Sequence, residues 1–277
     1  MSDASYTTLL TSTVAPGVLH VALNRPAQRN AMNKVFWREC LHLFTRLRTD
    51  TSTRCIIISG GVSPIFTAGL DLKDFASLAG DGEDKDGARR ALVFKELVEG
   101  MQEAFSAVER CPQPVIAAVR GACIGAGLDL ITACDIRLAS PDAFFSLKEV
   151  DIGLAADVGT LQRLPKVVGN DSWVREIAYT ARNFDAAEAE RMGLARVVEG
   201  GPDRLMAEAV KLATLIASKS PIAVLGTKEV LNYSRDHTVA EGLKYVAVWN
   251  MAMTQTEDIP IAMQATLSKT KPVFSKL

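Results

Sequence analysis

Strand-like and helix-like segments alternate through the first two-thirds of this chain, and that alternation constrains the fold more than any other feature. Val18 to Leu23 and Arg54 to Ser59 read as strands, the second carrying a buried Cys-Ile-Ile-Ile run. Between them Phe36, Trp37, Cys40, Leu41, Phe44 and Leu47 recur at three- and four-residue steps, which is one apolar helix face. Gly80 to Gly87 is a polar, glycine-punctuated surface loop. A long helix follows, with Leu92, Phe94, Leu97, Val98, Met101, Phe105 and Val108 as its expected buried side, and it ends before Pro112. Then come a strand from Pro114 to Val119, a glycine turn, a short apolar helix from Leu128 to Ala133, and short strands at Ile136 to Leu138 and Phe144 to Leu147. This order predicts an α/β fold. After about Gly200 the strand signal stops, and Asp203 to Ser218, Pro221 to Tyr233, Val239 to Met253 and Ile259 to Ser268 read as helices. The chain therefore divides into an α/β core over residues 1–200 and a helical region over residues 201–277.

Charge is balanced, with 31 Lys and Arg against 32 Asp and Glu, so no basic field invites nucleic acid. The five cysteines, Cys40, Cys55, Cys111, Cys123 and Cys134, form no C-x-x-C pair and are odd in number. They read as reduced, mostly buried thiols of an intracellular protein, not as a disulfide framework or a zinc site. No apolar run reaches the roughly 18 residues that a membrane span needs. Met1 to Thr13 is polar and has neither the layout of a signal peptide nor the arginines of a mitochondrial presequence. The last three residues, Ser275-Lys276-Leu277, match the peroxisomal import address and follow a helix-breaking Pro272. They predict a peroxisome or related microbody, with its import receptor as a partner.

Two glycine-bearing loops follow the two clearest strands. One is Ile65-Phe-Thr-Ala-Gly-Leu-Asp-Leu72, and the other is Arg120-Gly-Ala-Cys-Ile-Gly-Ala-Gly-Leu-Asp-Leu130, which opens straight into a helix. A helix N-terminus leaves backbone N–H groups unpaired and can hold a phosphate or a developing oxyanion. The phosphate motifs do not fit: Leu130 stands where G-x-G-x-x-G needs its last glycine, and Asp129 would repel a phosphate. Three carboxylates lie in and after this turn. Asp129 sits in an otherwise apolar helix, Glu149 closes Phe144-Phe-Ser-Leu-Lys-Glu149, and Asp157 follows in Gly153-Leu-Ala-Ala-Asp-Val-Gly159. Each has a plain structural alternative. Asp157 can cap a helix starting near Val158, and Glu149 can pair with Lys148 or Arg163. Asp129 has the greatest need of a partner or a role, because an acid in an apolar stretch costs free energy.

In order and spacing these segments resemble the crotonase (enoyl-CoA hydratase/isomerase) superfamily, and within it the Δ3,5-Δ2,4-dienoyl-CoA isomerases. The carriers are F-T-A-G-L-D-L, then G-A-C-I-G-A-G-L-D-L-I-T-A-C-D-I-R, then F-F-S-L-K-E-V-D-I-G-L-A-A-D-V-G. The likeness runs from Asn24-Arg25-Pro26 through Ser220-Pro-Ile-Ala-Val and Tyr233-Ser-Arg-Asp-His237, nearly the whole chain. It implies a spiral of strand–strand–helix turns with a C-terminal helical region that assembles a homotrimer or a dimer of trimers. It implies an oxyanion hole made by the N–H groups of Leu70 and Ala126, with Ala68, Gly69, Leu70, Asp71, Leu72 and Ala126 along the acyl-CoA path. Many relatives have glycine where Ala126 stands. The donor is kept, and a methyl group is added.

The resemblance also implies an activity. A 3,5-dienoyl-CoA must lose a proton at carbon 2 and gain one at carbon 6. Those carbons lie roughly 5 Å apart, beyond the reach of one fixed acid. Glu149 is expected as the base at carbon 2, Asp157 as the acid at carbon 6, and Asp129 as a group that orients or polarises groups near the thioester and helps keep the other acids apart in pKa. Neither a metal nor a redox cofactor is required, and coenzyme A enters as part of the substrate. A hydratase would instead use two glutamates, at the positions of Asp129 and Glu149. A non-catalytic acyl-CoA- or RNA-binding relative and a purely structural trimer are further alternatives.

Overall fold

A computed structural model describes residues 6–75 and 86–277. The loop expected from Gly80 to Gly87 lies mostly outside the described residues; of its end, Asp86 caps a helix that Gly87 begins. A six-stranded sheet runs in the order β1 (Leu9–Ala15), β2 (Val18–Leu23), β3 (Cys55–Ser59), β4 (Val115–Val119), β6 (Ile136–Ala139) and β9 (Arg196–Val197). The first pair is antiparallel and every later neighbour is parallel. A second, three-stranded sheet contains β5 (Ala122–Ile124), β7 (Phe144–Ser146) and β8 (Phe184–Asp185). The chain steps from β4 to β5 and then into the helix Ala126–Ala133, which is one strand–strand–helix turn of a spiral. The preceding turn is analogous: after β3, Thr67 bridges Cys123 and extends the second sheet.

The apolar runs in β3 and β4 are continuous because both faces of the sheet are buried. Ile56, Ile58, Val115, Ala117 and Val119 point to one side, into the core that also holds Phe36, Phe44 and Phe105. Cys55, Ile57, Ile116 and Ala118 point to the other, onto Leu205, Ala209 and Ala213. Helix Lys34–Leu47 forms where the three- and four-residue steps place it, started by Asn33, whose side chain accepts from the N–H of Phe36. Helix Gly87–Glu109 departs from expectation at its start. Leu92 and Phe94 are exposed, and the fully buried part begins at Met101.

The boundary near residue 200 marks the change to all-helical structure, yet the first helix beyond it, Gly201–Ala217, is the lid of the main sheet. Pro221–Arg235 is then pinned to the core by Lys228, whose buried ammonium donates to the Gln113 carbonyl and to Asp135 at 2.7 Å. All five cysteines are buried free thiols. Among the described residues no single helix is long and apolar enough to cross a membrane.

Candidate active site

The two glycine loops meet. Thr67 accepts its place from both sides: its N–H donates to the Ala122 carbonyl, and its carbonyl accepts from Ile124. Behind it, buried Asn30 donates to the carbonyls of Gly60 and Phe66, and the Thr67 hydroxyl donates to the carbonyl of Asn30 at 2.7 Å. Gly69, at φ +87°, lies so close to the second loop that a β-carbon there would sit 2.6 Å from the Ile124 carbonyl and 3.5 Å from the Ala126 nitrogen. Only glycine fits.

This contact brings the two expected donors side by side. Leu70 bridges Met32 through its neighbours, since Met32 donates to the Gly69 carbonyl and Asp71 donates to the Met32 carbonyl. In such a bridge the N–H of the middle residue faces the opposite edge, away from Met32. Ala126 is the first residue of its helix, so its N–H has no acceptor within the helix. Both residues line one cleft of about 110 Å³, with Ala68, Gly69 and Leu72 beside them. Asp71 does not line it. Its carboxylate is paired with Arg25 at 2.9 Å and held below the ordinary range by that hydrogen bond, which fastens the Arg25–Ala31 loop to this one.

Glu149 and Asp157 line the same cleft. Glu149 opens a 3-10 turn, Glu149–Ile152, and its alternative partners are engaged elsewhere. Lys148 donates to Asp151 and to the Ala181 carbonyl, while Arg163 pairs with Glu109. One Glu149 oxygen is buried with no hydrogen-bond partner. The other lies against Gly125, where a β-carbon would approach to 3.0 Å. Burial first, and then the nearby Asp129 charge, push the Glu149 carboxyl up to about 7. That is the range a general base needs near neutral pH.

Asp157 does not cap a helix. The following helix starts at Thr160, with Gly159 at its N-cap, so two residues intervene. Burial raises the half-buried Asp157 carboxyl against the opposing pull of its own backbone N–H. The capping role falls to Asp129 instead. Its Oδ1 accepts both the Thr160 N–H at 2.6 Å and the Thr160 hydroxyl at 2.7 Å, across 31 residues of sequence. Asp129 is 0 % exposed, its Oδ2 is unpartnered, and burial pushes it up to about 6 against the pull of Thr160. It stands behind the cleft wall and does not line the cleft.

Several cleft residues carried no functional signal in the sequence. Trp37 and Met101 belong to the buried faces of their helices, and only the fold shows that the ends of those faces also form the cleft. Phe75, Ile152 and Leu154 complete an apolar wall around the acids. The strand Ala122–Ile124, expected as part of a turn, is too short and too closely flanked by glycines to announce itself.

The family model described as enoyl-CoA hydratase/isomerase matches residues 13–276, and the chain belongs to that family. It is 52% identical over 278 residues to a Homo sapiens protein named Delta(3,5)-Delta(2,4)-dienoyl-CoA isomerase, mitochondrial, covering 99% of this chain and 84% of that one. It is 42% identical over 280 residues to the Arabidopsis thaliana Delta(3,5)-Delta(2,4)-dienoyl-CoA isomerase, peroxisomal, covering 100% of both. Among solved structures, an enoyl-CoA hydratase from Bacillus anthracis superposes with a TM-score of 0.86 at 29% identity, covering 96% of this chain and 98% of that one. The spiral fold is thus common to hydratases and isomerases, whereas the identity is higher to proteins named as dienoyl-CoA isomerases.

Proposed function

We propose that this chain isomerises 3,5-dienoyl-CoA to 2,4-dienoyl-CoA, with Glu149 and Asp157 as the two proton-transferring groups. The observation that carries the reading is the pairing of these two acids, neither tied up in an ion pair, in one apolar cleft with the Leu70 and Ala126 N–H groups. The thioester oxygen accepts from the two N–H groups, which stabilises the enolate formed when Glu149 removes the carbon-2 proton. Electron density shifts along the conjugated chain, and protonated Asp157 delivers a proton to carbon 6. One proton leaves and one arrives, so no redox change occurs and coenzyme A is carried through as part of the substrate.

The position of Asp129 argues against a hydratase. Hydration needs a second acid touching the same water as Glu149, and Asp129 is shut behind the wall with one oxygen bound to Thr160. The deciding assay is ultraviolet absorbance on two thioesters. The isomerase creates the conjugated 2,4-dienoyl chromophore from a 3,5-dienoyl-CoA. Loss of the 2-enoyl chromophore at comparable rate, without that product, would make the chain a hydratase.

Two wider readings accompany this one. Peroxisomal import is supported by Ser275-Lys276-Leu277 and by the peroxisomal name of the Arabidopsis relative; the human relative is named mitochondrial. Removing Ser275 to Leu277 should leave activity intact and the protein outside the organelle, and continued import would refute the assignment. Assembly as a homotrimer or a dimer of trimers is supported by apolar side chains left exposed on the C-terminal helices, among them Leu231, Leu243, Met251 and Met263.

A further inference from the structure

Two carboxyl oxygens among the described residues are buried without a hydrogen-bond partner, and they belong to neighbouring acids, Asp129 Oδ2 and Glu149 Oε2. Buried polar atoms are nearly always satisfied, so an unpaired pair of like atoms beside a reacting centre requires an account. Asp129 cannot turn its free oxygen elsewhere, because Oδ1 is gripped twice by Thr160, through the backbone N–H at 2.6 Å and the hydroxyl at 2.7 Å. Thr160 is itself 1 % exposed and opens its helix, so the grip is anchored to a rigid element. The far wall is equally fixed. Gly125, which places Glu149, also accepts the N–H of Asp129 through its carbonyl.

We propose that Thr160 is a positioning residue for proton transfer: it clamps Asp129 so that its unpaired oxygen and negative charge act on Glu149 from behind the cleft. The clamp works through a third group and does not touch substrate. By donating to the carboxylate, Thr160 favours the charged form of Asp129. A charged Asp129 repels the charged form of Glu149 and strengthens it as a base. The other ionic groups around the pair leave this coupling in place. Asp157 acts on both acids in the same sense as they act on each other. Arg163 opposes it but is held by Glu109 and Ser106 of the long helix. The Cys123 thiol is kept neutral by burial. Lys148 is engaged with Asp151 and the Ala181 carbonyl. On helix Asp171–Thr180, packed against the Glu149 turn, Asp171 pairs with Arg175 and Glu176 with Arg182.

The test uses the full chain with Thr160→Val, Thr160→Ser and Asp129→Asn. The titration of Glu149 is followed by carbon-13 NMR of carboxyl-labelled glutamate and assigned by its loss in Glu149→Gln. Valine keeps the shape and the backbone N–H but removes the hydroxyl. Asp129 then holds its proton to higher pH, the repulsion weakens, and the Glu149 midpoint falls by about half a pH unit or more. Thr160→Ser restores the donor and the wild-type midpoint. Asp129→Asn removes the charge and lowers the midpoint at least as far, which keeps the proposal testable should the valine variant fail to fold. An unmoved midpoint in folded Thr160→Val or in Asp129→Asn overturns the proposal, as does a serine variant displaced as far as the valine one. This inference rests on the isomerase reading only for its purpose, and the two fail separately. Absence of 2,4-diene formation by the wild type would sink that reading while the NMR titration still decides the clamp. If both stand, the ascending limb of the isomerisation pH profile moves to lower pH with the NMR midpoint.

Discussion

The turn that opens helix Ala126–Ala133 and the loop over residues 153–159 each bring an aspartate toward Glu149, and they treat it in opposite ways. Asp129 is sealed, bound at one oxygen and absent from the cleft wall. Asp157 is half-buried and faces the cleft. Burial raises both carboxyls, so a shifted pKa alone does not separate a proton donor from a supporting charge. Access separates them. An acid must reach the reacting carbon to exchange a proton with it, and of the three acids Glu149 and Asp157 line the cleft while Asp129 does not.

The largest test of this contrast is Asp157→Asn. The substitution removes the proposed far proton donor while leaving Glu149 and the two N–H groups in place. Formation of the 2,4-diene should fall by about 10² to 10⁴, the usual worth of a positioned acid. Exchange of the carbon-2 proton with deuterated solvent should continue, and stability should change little because Asp157 caps no helix. Loss of carbon-2 exchange along with isomerisation would mean that Asp157, not Glu149, is the base, and the contrast between the two ends of the cleft would be misassigned.

A smaller effect is expected on the other side, at the helix N-terminus. Ala126 occupies the first helical position, where proline is well tolerated because that N–H has no helical acceptor. Ala126→Pro therefore deletes one proposed oxyanion donor with little cost to the helix, and turnover should drop by about 10². Carbon-2 exchange should drop with it, unlike in Asp157→Asn, because both steps pass through the enolate. Turnover within a few fold of wild type would place the oxyanion elsewhere.

How much of this could be read from sequence depended on the range of the interactions. Helix Lys34–Leu47 and strands β3 and β4 were legible because their periodicity is local and each apolar position is buried for the same reason. Of the acids, Asp129 stood out as an ionisable residue in an apolar segment, and Glu149 and Asp157 joined it only through the family resemblance. Their division of labour was not legible. Asp157 precedes a helix and so looks like its cap, whereas the cap comes from Asp129, 31 residues earlier in the chain. Likewise Asp71 resembles a path residue by its place beside Gly69, but the fold returns Arg25 to it. Leu92 and Phe94 keep the helical apolar spacing but lie in the exposed first half of their helix, which periodicity alone does not distinguish from the buried second half.

The subtlest expected difference concerns stability, and it tests whether the Glu149 end is held uncharged by its surroundings. Burial and then the Asp129 charge raise Glu149 from 4.5 to about 7 in the fold. A carboxyl raised on folding favours its protonated form there. Its contribution to stability is complete below the unfolded value and is lost as pH rises through the folded one. Glutamine imitates the neutral acid at every pH. Wild type and Glu149→Gln should therefore unfold at similar urea concentrations near pH 4, and the variant should gain about 3 kcal/mol over wild type by pH 8. Asp129 is present in both proteins, and its repulsion of the Glu149 charge is already part of that gain. Urea midpoints measured at the two pH values decide the matter. A gain that is the same at both would mean that Glu149 ionises as readily in the fold as in the unfolded chain. The apolar wall of Phe75, Ile152 and Leu154 would then not be keeping water from the base.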